Sequence, residues 1–424
     1  MRVGLRRAMV HGGVSAVTLG NVGIAVSVAV LLAAGPRLLG AGPFVALSLA
    51  WTVTTVFGYG IAMPTEQLIM RRRSARDTQA SARPVVLLGL AGLLSVVALP
   101  FVGGQMLEVG EATVAVPTAA AGIAGWVLLA TARGRVGGAG RLHAYAGLLG
   151  LEAATRIVLV VGAVAFPSGS TWLLGSAVGV PVVVSALVGL TLQPIQVRRH
   201  AAVLGLRGLS GPGESEQAAF VLVAVGYQLC LNAAPLVLAW RADAASHAAI
   251  GAFVITSSYY RVAAVLGAGY ATHTLVTLSS LWSGGSYGQF KRGLRRGVIS
   301  ATAVTVAATA GAGALGPIAV PLLNGRDPKI PLVVLTGLAV STVLATAAAV
   351  ATTGLMASQR GSAAAGWWLA GAAVHLLILV TTTSIGGTVA LALVAGPAIV
   401  LAGVLATARR LPESSRPLGL PLDR

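Results

Sequence analysis

Residues 388–407 read TVALALVAGPAIVLAGVLAT, a run without any charged side chain, and after Ala408 come Arg409 and Arg410. An α-helix rises about 1.5 Å per residue, so about 20 apolar residues cross the roughly 30 Å hydrocarbon core of a bilayer. The run is continuously apolar and lacks the period-two alternation of a membrane β-strand. It therefore predicts a transmembrane α-helix that ends at a basic boundary.

Runs of the same kind recur along the whole chain. The 424 residues are 56% hydrophobic and only 9% charged, whereas soluble domains have about 45–50% apolar and about 25% charged residues. The first run is longer than the about 7–15 apolar residues of a cleaved signal, so we predict a retained helix. We predict an all-α, polytopic membrane protein of about twelve transmembrane helices, near residues 12–34, 43–64, 84–103, 114–132, 143–166, 171–193, 217–240, 248–275, 297–320, 331–355, 365–384 and 388–407.

The basic residues are distributed unequally between the predicted connections. The chain has 29 Lys and Arg against 11 Asp and Glu. The cations cluster in alternate connections, at residues 2–7, 71–83, 133–141, 198–207, 291–296 and 409–424. Because positive loops stay in the cytoplasm, we predict a protein of the cell membrane with both termini cytoplasmic. The cations lie between apolar runs rather than on a solvated face, which excludes a nucleic-acid partner.

A long polar connection at residues 194–216 divides the chain into two halves. Six predicted helices precede it and six follow it, and a basic cluster comes after the second predicted helix of each half. This pattern is typical of transporters that are built from parallel repeats. We predict four regions, which are an N-terminal six-helix lobe (1–200), a cytoplasmic linker (201–216), a C-terminal six-helix lobe (217–408) and a cytoplasmic tail (409–424).

The sequence lacks the motifs of common catalytic and metal sites. It has no G-x-x-x-x-G-K-[ST] phosphate loop and no H-E-x-x-H helix, and Cys230 is its single cysteine. Its six histidines are scattered without the spacing of metal ligands. We therefore predict that the protein is not an enzyme, has no catalytic residues and needs neither a metal nor a cofactor.

Three ionisable residues fall inside predicted helices, where each costs about 2.5–3.5 kcal/mol at the helix centre. Glu152 and Arg156 are four positions apart on the fifth helix, with the acid first, which is the favoured order for a pair on one helix face. The pair has two interpretations. It is either a self-neutralised structural pair, or Glu152 is a carboxylate that couples transport to protons.

Arg261 is the third ionisable residue, and no carboxylate lies within four positions of it. A planar guanidinium without an acid partner suits the oxygens of a phosphate group. The alternatives are that the side chain extends to the lipid headgroups or bonds backbone carbonyls. We predict that Arg261 binds an anionic ligand.

Neutral polar residues accumulate in the first, second, seventh and eighth predicted helices. Asn21, Gln228, Asn232 and Tyr260 are the candidates for hydrogen bonds to a ligand. Each of them alone has an ordinary explanation, because polar side chains often hydrogen-bond between membrane helices. Their concentration in corresponding helices of the two halves predicts a shared polar cavity.

Several stretches carry a resemblance to a known family. They are Pro36–Phe44, Pro64-Thr65-Glu66-Gln67 followed by Arg71-Arg72-Arg73, Ser258–Val262, Phe290–Arg296 and Leu323–Asp327. They resemble polysaccharide flippases of the multidrug/oligosaccharidyl-lipid/polysaccharide exporter superfamily, and are most similar to its high-GC Gram-positive branch. The chain departs from the related lipid II flippases in having about twelve rather than fourteen helices.

The resemblance implies two six-helix lobes around a central cleft that is lined by helices 1, 2, 7 and 8. It implies export of a polyprenyl-diphosphate-linked oligosaccharide or polysaccharide precursor by alternating access. Arg261 matches the cation that is thought to meet the diphosphate, and Asn21, Gln228, Asn232 and Tyr260 would bond the sugar. The implied partners are this substrate, membrane lipids and envelope polysaccharide synthesis enzymes.

Two other functions remain open from the sequence. The first is an H⁺- or Na⁺-coupled drug or metabolite antiporter of the same superfamily, which would need Glu152 as its coupling carboxylate. The second is a non-transporting membrane scaffold for envelope synthesis. Buried polar residues argue against a scaffold, because a scaffold has no need to bear their cost.

Overall fold

The computed structural model describes residues 2–74, 109–192, 214–241, 247–324, 330–382 and 385–411, and every regular element within these ranges is helical. The elements are α1 (Arg2–Leu39), α2 (Ala41–Phe57), a π-helix (Gly58–Ala62), α3 (Met63–Ser74), α4 (Val109–Gly138), α5 (Leu142–Ala165), a 3-10 turn (Pro167–Gly169), α6 (Ser170–Thr191), α7 (Glu214–Arg241), α8 (His247–Ser283), α9 (Tyr287–Asn324), α10 (Leu332–Ala357), α11 (Gly361–Val380) and α12 (Gly387–Arg409).

Ten stretches of the described residues are long and apolar enough to cross a bilayer. The helix α8, with 37 residues, also exceeds the about 20 residues that a crossing needs. The prediction of an all-α, polytopic membrane protein is therefore confirmed. The predicted third helix at 84–103 lies outside the described residues.

Several helices are longer than the predicted spans, since a helix continues into water once its apolar part has crossed the bilayer. The observed α9, at Tyr287–Asn324, exceeds the predicted 297–320 at both ends. Glycines with positive φ separate consecutive helices. Gly40 (φ 76°) stands between α1 and α2, and Gly285 (φ 67°) follows α8, in a backbone region that glycine enters without steric cost.

Helices pack extensively within each half of the chain. In the N-terminal half α4 packs on α6, and α5 packs on both α1 and α6. In the C-terminal half α12 packs on α10 and α11, while α8 packs on α9 and α10. The buried indole of Trp368 lies at the centre of an apolar cluster in this half, together with Phe290 and Leu355.

The two halves meet through a smaller set of helices. The π-helix and α3 contact α7, whereas α1 and α2 contact α8. At the end of α1, Arg37 donates hydrogen bonds to the backbone carbonyls of Leu322 and Leu323 near the end of α9. Any ligand site between the halves therefore lies among α1–α3 and α7–α9.

The predicted boundaries of the lobes stay predictions. Residues 201–213 of the predicted linker and residues 412–424 of the predicted tail lie outside the described residues. The last three residues of the linker, 214–216, form the start of α7.

Candidate functional site

Three of the predicted ligand-binding residues form one chain of hydrogen bonds between α7 and α8. Arg261 donates from Nη1 to Oδ1 of Asn232 over 2.7 Å, and Asn232 donates from Nδ2 to Oε1 of Gln228. Gln228 and Asn232 are four residues apart, so they lie on one face of α7. Both are buried, with 4% and 8% of their surfaces exposed. We call Gln228, Asn232 and Arg261 the arginine site.

Arg261 has an unused hydrogen-bond donor in this site. Its Nη2 atom is buried and has no hydrogen-bond partner in the described part of the chain. The salt bridges found among the described residues do not involve Arg261. A guanidinium has five N–H donors, and a buried donor without a partner is costly. A ligand that supplies an oxygen acceptor would remove this cost.

The arginine site lies where the two halves of the chain meet. A side chain at Gly60 of the π-helix would begin 3.5 Å from Cγ of Gln228 and 3.7 Å from Cα of Val225. Next to Gly60, the ring of Tyr59 lies against Trp126 of α4, with 5.3 Å between ring centroids. Gln228, the first residue in the hydrogen-bonded series Gln228–Asn232–Arg261, therefore lies next to the π-helix.

Tyr260 is not brought to the arginine site. Successive residues of an α-helix are about 100° apart around its axis, so Tyr260 lies on a different face of α8 from Arg261. It is buried, its ring meets that of Tyr259 edge-on at 5.6 Å, and it lines a cavity of about 850 Å³ between α9 and α10. The prediction of a ligand contact thus has no support from the position of Tyr260.

Asn21 is also not joined to the arginine site. It is half-buried on α1, a helix that contacts both α5 and α8. No hydrogen bond within the described ranges connects it to Gln228, Asn232 or Arg261.

The predicted pair on the fifth helix is present and belongs to a larger buried cluster. Glu152 accepts hydrogen bonds from Nη2 of Arg156 over 3.0 Å and from Nη2 of Arg133 over 2.7 Å. Arg156 also donates to the carbonyl of Ala177 over 3.1 Å and to Oγ of Ser27 over 3.0 Å. These contacts match the interpretation of a structural pair, since both groups are fully engaged.

Two members of this cluster were missed by the sequence analysis, which counted three ionisable residues inside the membrane. Arg133 was assigned to a cytoplasmic connection, but it is only 3% exposed. Glu66 is only 2% exposed and accepts a hydrogen bond from the hydroxyl of Tyr145. Arg133 also lies over the Tyr145 ring, with 5.9 Å from Cζ to the ring centroid. We call Glu66, Arg133, Tyr145, Glu152 and Arg156 the glutamate cluster.

The signal that could have found these residues is the length of the apolar stretches. Glu66 lies within the stretch Ala46–Met70 and Arg133 within Val116–Gly138, both apolar enough to cross a bilayer. The predicted windows, 43–64 and 114–132, ended just before each charge. An ionisable residue immediately after an apolar window is therefore a candidate for burial.

His375 on α11 is a further buried polar residue without an assigned role. Its Nδ1 atom lies 2.7 Å from the carbonyl of Ala392 on α12, so this nitrogen carries the proton of the neutral ring. Within the described ranges no group of three or more His, Cys, Asp or Glu side chains could hold a metal ion.

No protein-family model and no curated protein matches the chain. Solved structures do match it. A crystal structure of MATE in complex with MaD3S matches with a TM-score of 0.66 and 16% identity, over 94% of this chain and 95% of the other. A MOP superfamily transporter from Pyrococcus furiosus Vc1, described as having a binding pocket of reverse polarity, matches with 0.65 and 19%, over 94% of each chain.

The chain has the fold of the MATE transporters. A MATE multidrug resistance transporter of the MOP superfamily in the inward-facing conformation matches with a TM-score of 0.61 and 14% identity, over 92% of this chain and 97% of the other. An outward-facing structure of the same kind of transporter also matches. The fold expected of the predicted superfamily is thus confirmed, whereas membership of the superfamily and the polysaccharide flippase subtype stay predictions.

Proposed function

We propose that the chain is a membrane transporter that flips a polyprenyl-diphosphate-linked oligosaccharide or polysaccharide precursor from the cytoplasmic to the outer leaflet. The observation that carries this proposal is the Nη2 donor of Arg261, which has no partner among the described residues, in a site whose Gln228 lies at the contact between the two halves. The fold supports transport by alternating access, since similar structures occur in inward-facing and outward-facing conformations.

The chemistry of the arginine site fits the two parts of such a substrate. The planar guanidinium of Arg261 matches the oxygens of a diphosphate. The amides of Gln228 and Asn232 both donate and accept hydrogen bonds, as sugar hydroxyls do. Asn21 and Tyr260 stay predictions from the sequence and are not part of the proposed site.

The proposed transport needs no nucleotide hydrolysis. Outward movement of a negative diphosphate from a negative cytoplasm gains about 2.3 kcal/mol per charge for each 100 mV of membrane potential. The basic connections support an orientation with both termini in the cytoplasm. Envelope polysaccharide synthesis enzymes are the proposed partners, because they would supply the lipid-linked precursor.

Binding to the purified protein tests the proposal. Native mass spectrometry in detergent would compare a polyprenyl-diphosphate-linked disaccharide with the uncharged polyprenol of the same chain length. We expect Arg261→Gln to lower binding of the diphosphate at least about tenfold, which corresponds to roughly 1.4 kcal/mol. Arg261→Lys should give an intermediate loss, because lysine keeps the charge but not the planar fork.

The control for this experiment is Arg295→Gln, which removes an exposed cation from α9. It should leave binding unchanged. Equal binding of the diphosphate by the wild-type protein and the Arg261→Gln variant would contradict the assignment of the arginine site.

A small-molecule antiporter of the same superfamily is the second candidate, because one of the similar structures is a multidrug resistance transporter. The two candidates differ in their substrates. Transport of cationic drugs without any binding of the lipid-linked diphosphate would favour the antiporter. Binding of the precursor without translocation would favour the third possibility, a membrane scaffold.

A further inference from the structure

The two carboxylates of the glutamate cluster have different surroundings. Glu152 accepts charge-assisted hydrogen bonds from two arginines, at 2.7 and 3.0 Å. Glu66 accepts one hydrogen bond, from the neutral hydroxyl of Tyr145, and no arginine within the described ranges forms a salt bridge with it. A proton on Glu152 would leave two buried cations facing a neutral acid, whereas a proton on Glu66 opposes no direct ion pair.

We propose that Glu66, and not Glu152, is the proton-binding site that couples a proton gradient to movement of the two halves. This inference rests on the proposed function, because it assigns the coupling ion of the same transporter. The step is the addition of one proton from water to a carboxylate oxygen of Glu66 and its later release to water. No other bond forms or breaks.

Both protonation states of Glu66 are compatible with its surroundings. The Tyr145 hydroxyl donates to an ionised or to a neutral carboxyl group, so this hydrogen bond survives a proton transfer. The attraction between Glu66 and Arg133 does not survive it. Arg133 lies over the Tyr145 ring, and its Nε atom is buried without a partner in the described part of the chain. Protonation therefore changes the force between α3 and α4.

The charged and titratable groups that act on Glu66 are Arg133 on α4, Tyr145 and Glu152 on α5, and Tyr59 on the π-helix. The helix α7 also packs on α3, and its titratable residues before Gln228 are Glu214, Glu216 and Tyr227. Arg71, Arg72 and Arg73 follow Glu66 on α3 itself. Of the two carboxylates in the glutamate cluster, Glu152 has direct arginine partners, whereas Glu66 has none among the side chains that the structure describes.

Glu66 lies near the end of its apolar stretch. The apolar stretch that contains it ends at Met70, and three arginines follow directly. One helical turn, about 5.4 Å, therefore separates Glu66 from the end of the stretch. A proton can reach this depth from the aqueous side without crossing the bilayer.

A continuous set of contacts connects Glu66 with the arginine site. The helix α3 continues directly from the π-helix, whose residue Gly60 lies against Gln228. Gln228 in turn is joined through Asn232 to Arg261. Short π-helical segments inside α-helices occur frequently at functional sites. A shift of α3 against α4 would thus be passed through the π-helix to the groups that hold the diphosphate.

Hydrogen–deuterium exchange of the full chain in liposomes tests the proposal without any substrate. We expect amide protection of residues 58–74 to change between pH 5.5 and pH 7.5 in the wild-type protein, by about fivefold or more, the lower end of ordinary coupling between two sites. The Glu66→Gln variant, a neutral mimic of the protonated acid, should show the acid pattern at both pH values. Glu111→Gln, which removes a carboxylate from α4, should keep the wild-type response.

A second variant keeps the test decisive if Glu66→Gln fails to fold. Tyr145→Phe keeps the ring beneath Arg133 but removes the hydrogen-bond donor of the ionised carboxylate. The midpoint of the pH response should therefore move to higher pH. An unchanged midpoint, an unchanged response in Glu66→Gln, or no response in the wild type would each overturn the proposal. A response to Na⁺ at constant pH in place of a response to pH would also overturn it.

The failure of this inference can be told apart from the failure of the proposed function. The Arg261→Gln variant should lose binding of the polyprenyl-diphosphate-linked disaccharide while keeping the pH response of residues 58–74. If Arg261→Gln binds normally, the arginine site is wrong and the assignment of Glu66 is unaffected. If the pH response is absent, Glu66 is wrong and the arginine site is unaffected.

Discussion

Arg156 and Arg261 are both arginines inside membrane-crossing helices, but their surroundings are opposite. Arg156 is fully engaged by a carboxylate, a backbone carbonyl, a hydroxyl and the ring of Trp51, which lies 5.4 Å from Cζ. Arg261 donates to one amide oxygen, and its buried Nη2 has no partner within the ranges that the structure describes. The contacts of Arg156 offset the free-energy cost of its buried charge. The contacts of Arg261 offset only part of that cost, and a bound ligand would offset the rest, as a binding site requires.

The largest effect on stability should come from removing the carboxylate partner of Arg156. Glu152→Gln keeps the shape of the side chain but leaves Arg133 and Arg156 buried without their carboxylate, which should cost about 3–5 kcal/mol. We expect a marked fall in the yield of monodisperse protein and in its melting temperature in detergent. Unchanged melting would show that the two arginines are balanced by groups other than Glu152.

A smaller effect on stability is expected from replacing Asn232, the partner of Arg261 on α7. Asn232→Leu removes the observed partner of Arg261 and leaves a second donor unsatisfied, at about 1–3 kcal/mol. The protein should still fold, because the glutamate cluster is untouched. Thermal unfolding together with binding of the lipid-linked disaccharide checks this prediction, and normal values of both would mean that Asn232 does not position Arg261.

A similar loss of stability should follow from a substitution in the π-helix, which lies between the glutamate cluster and the arginine site. A Cβ on Gly58 would overlap the Trp126 ring, so Gly58→Ala should destabilise the protein by about 1–3 kcal/mol through overpacking. The matched control is Gly147→Ala, which meets nothing within 4 Å. It should be neutral or slightly stabilising, since alanine favours the helix. Equal melting temperatures for the two variants would contradict the packing described for the π-helix.

The smallest effect on stability should come from Arg261→Gln. It removes a charge that is only partly satisfied, so the free energy of unfolding should change by less than about 1 kcal/mol while ligand binding falls. Differential scanning fluorimetry in detergent measures the first quantity. A loss as large as that of Glu152→Gln would mean that Arg261 is a structural residue like Arg156.

The sequence predicted the parts of the site that depend on spacing along one helix. Glu152 and Arg156 are four residues apart, and the predicted pair is hydrogen-bonded in the structure. Gln228 and Asn232 were named as separate ligand candidates, and their spacing of four residues also places them in one hydrogen bond. Helical geometry alone carries this information. The binding of an anion by Arg261 stays a prediction.

The sequence could not predict contacts that depend on the rotation of one helix against another. Tyr260 adjoins Arg261 along the chain, yet it faces the cavity between α9 and α10. Glu66 and Arg133 lie near the ends of their apolar stretches, just beyond the windows that the sequence predicted. The π-helix at Gly58–Ala62 has no signature in composition, and the packing of Gly58 against Trp126 is visible only in the structure.

Translocation in proteoliposomes tests the central claim most directly. A fluorescent polyprenyl-diphosphate-linked disaccharide would be placed in both leaflets, and the outer label would be quenched with dithionite. We expect the wild-type protein to flip the lipid under an inside-negative potential. Arg261→Gln should flip it at least about tenfold more slowly, and the control Arg295→Gln should keep the wild-type rate. Flipping by Arg261→Gln at the wild-type rate would contradict the account.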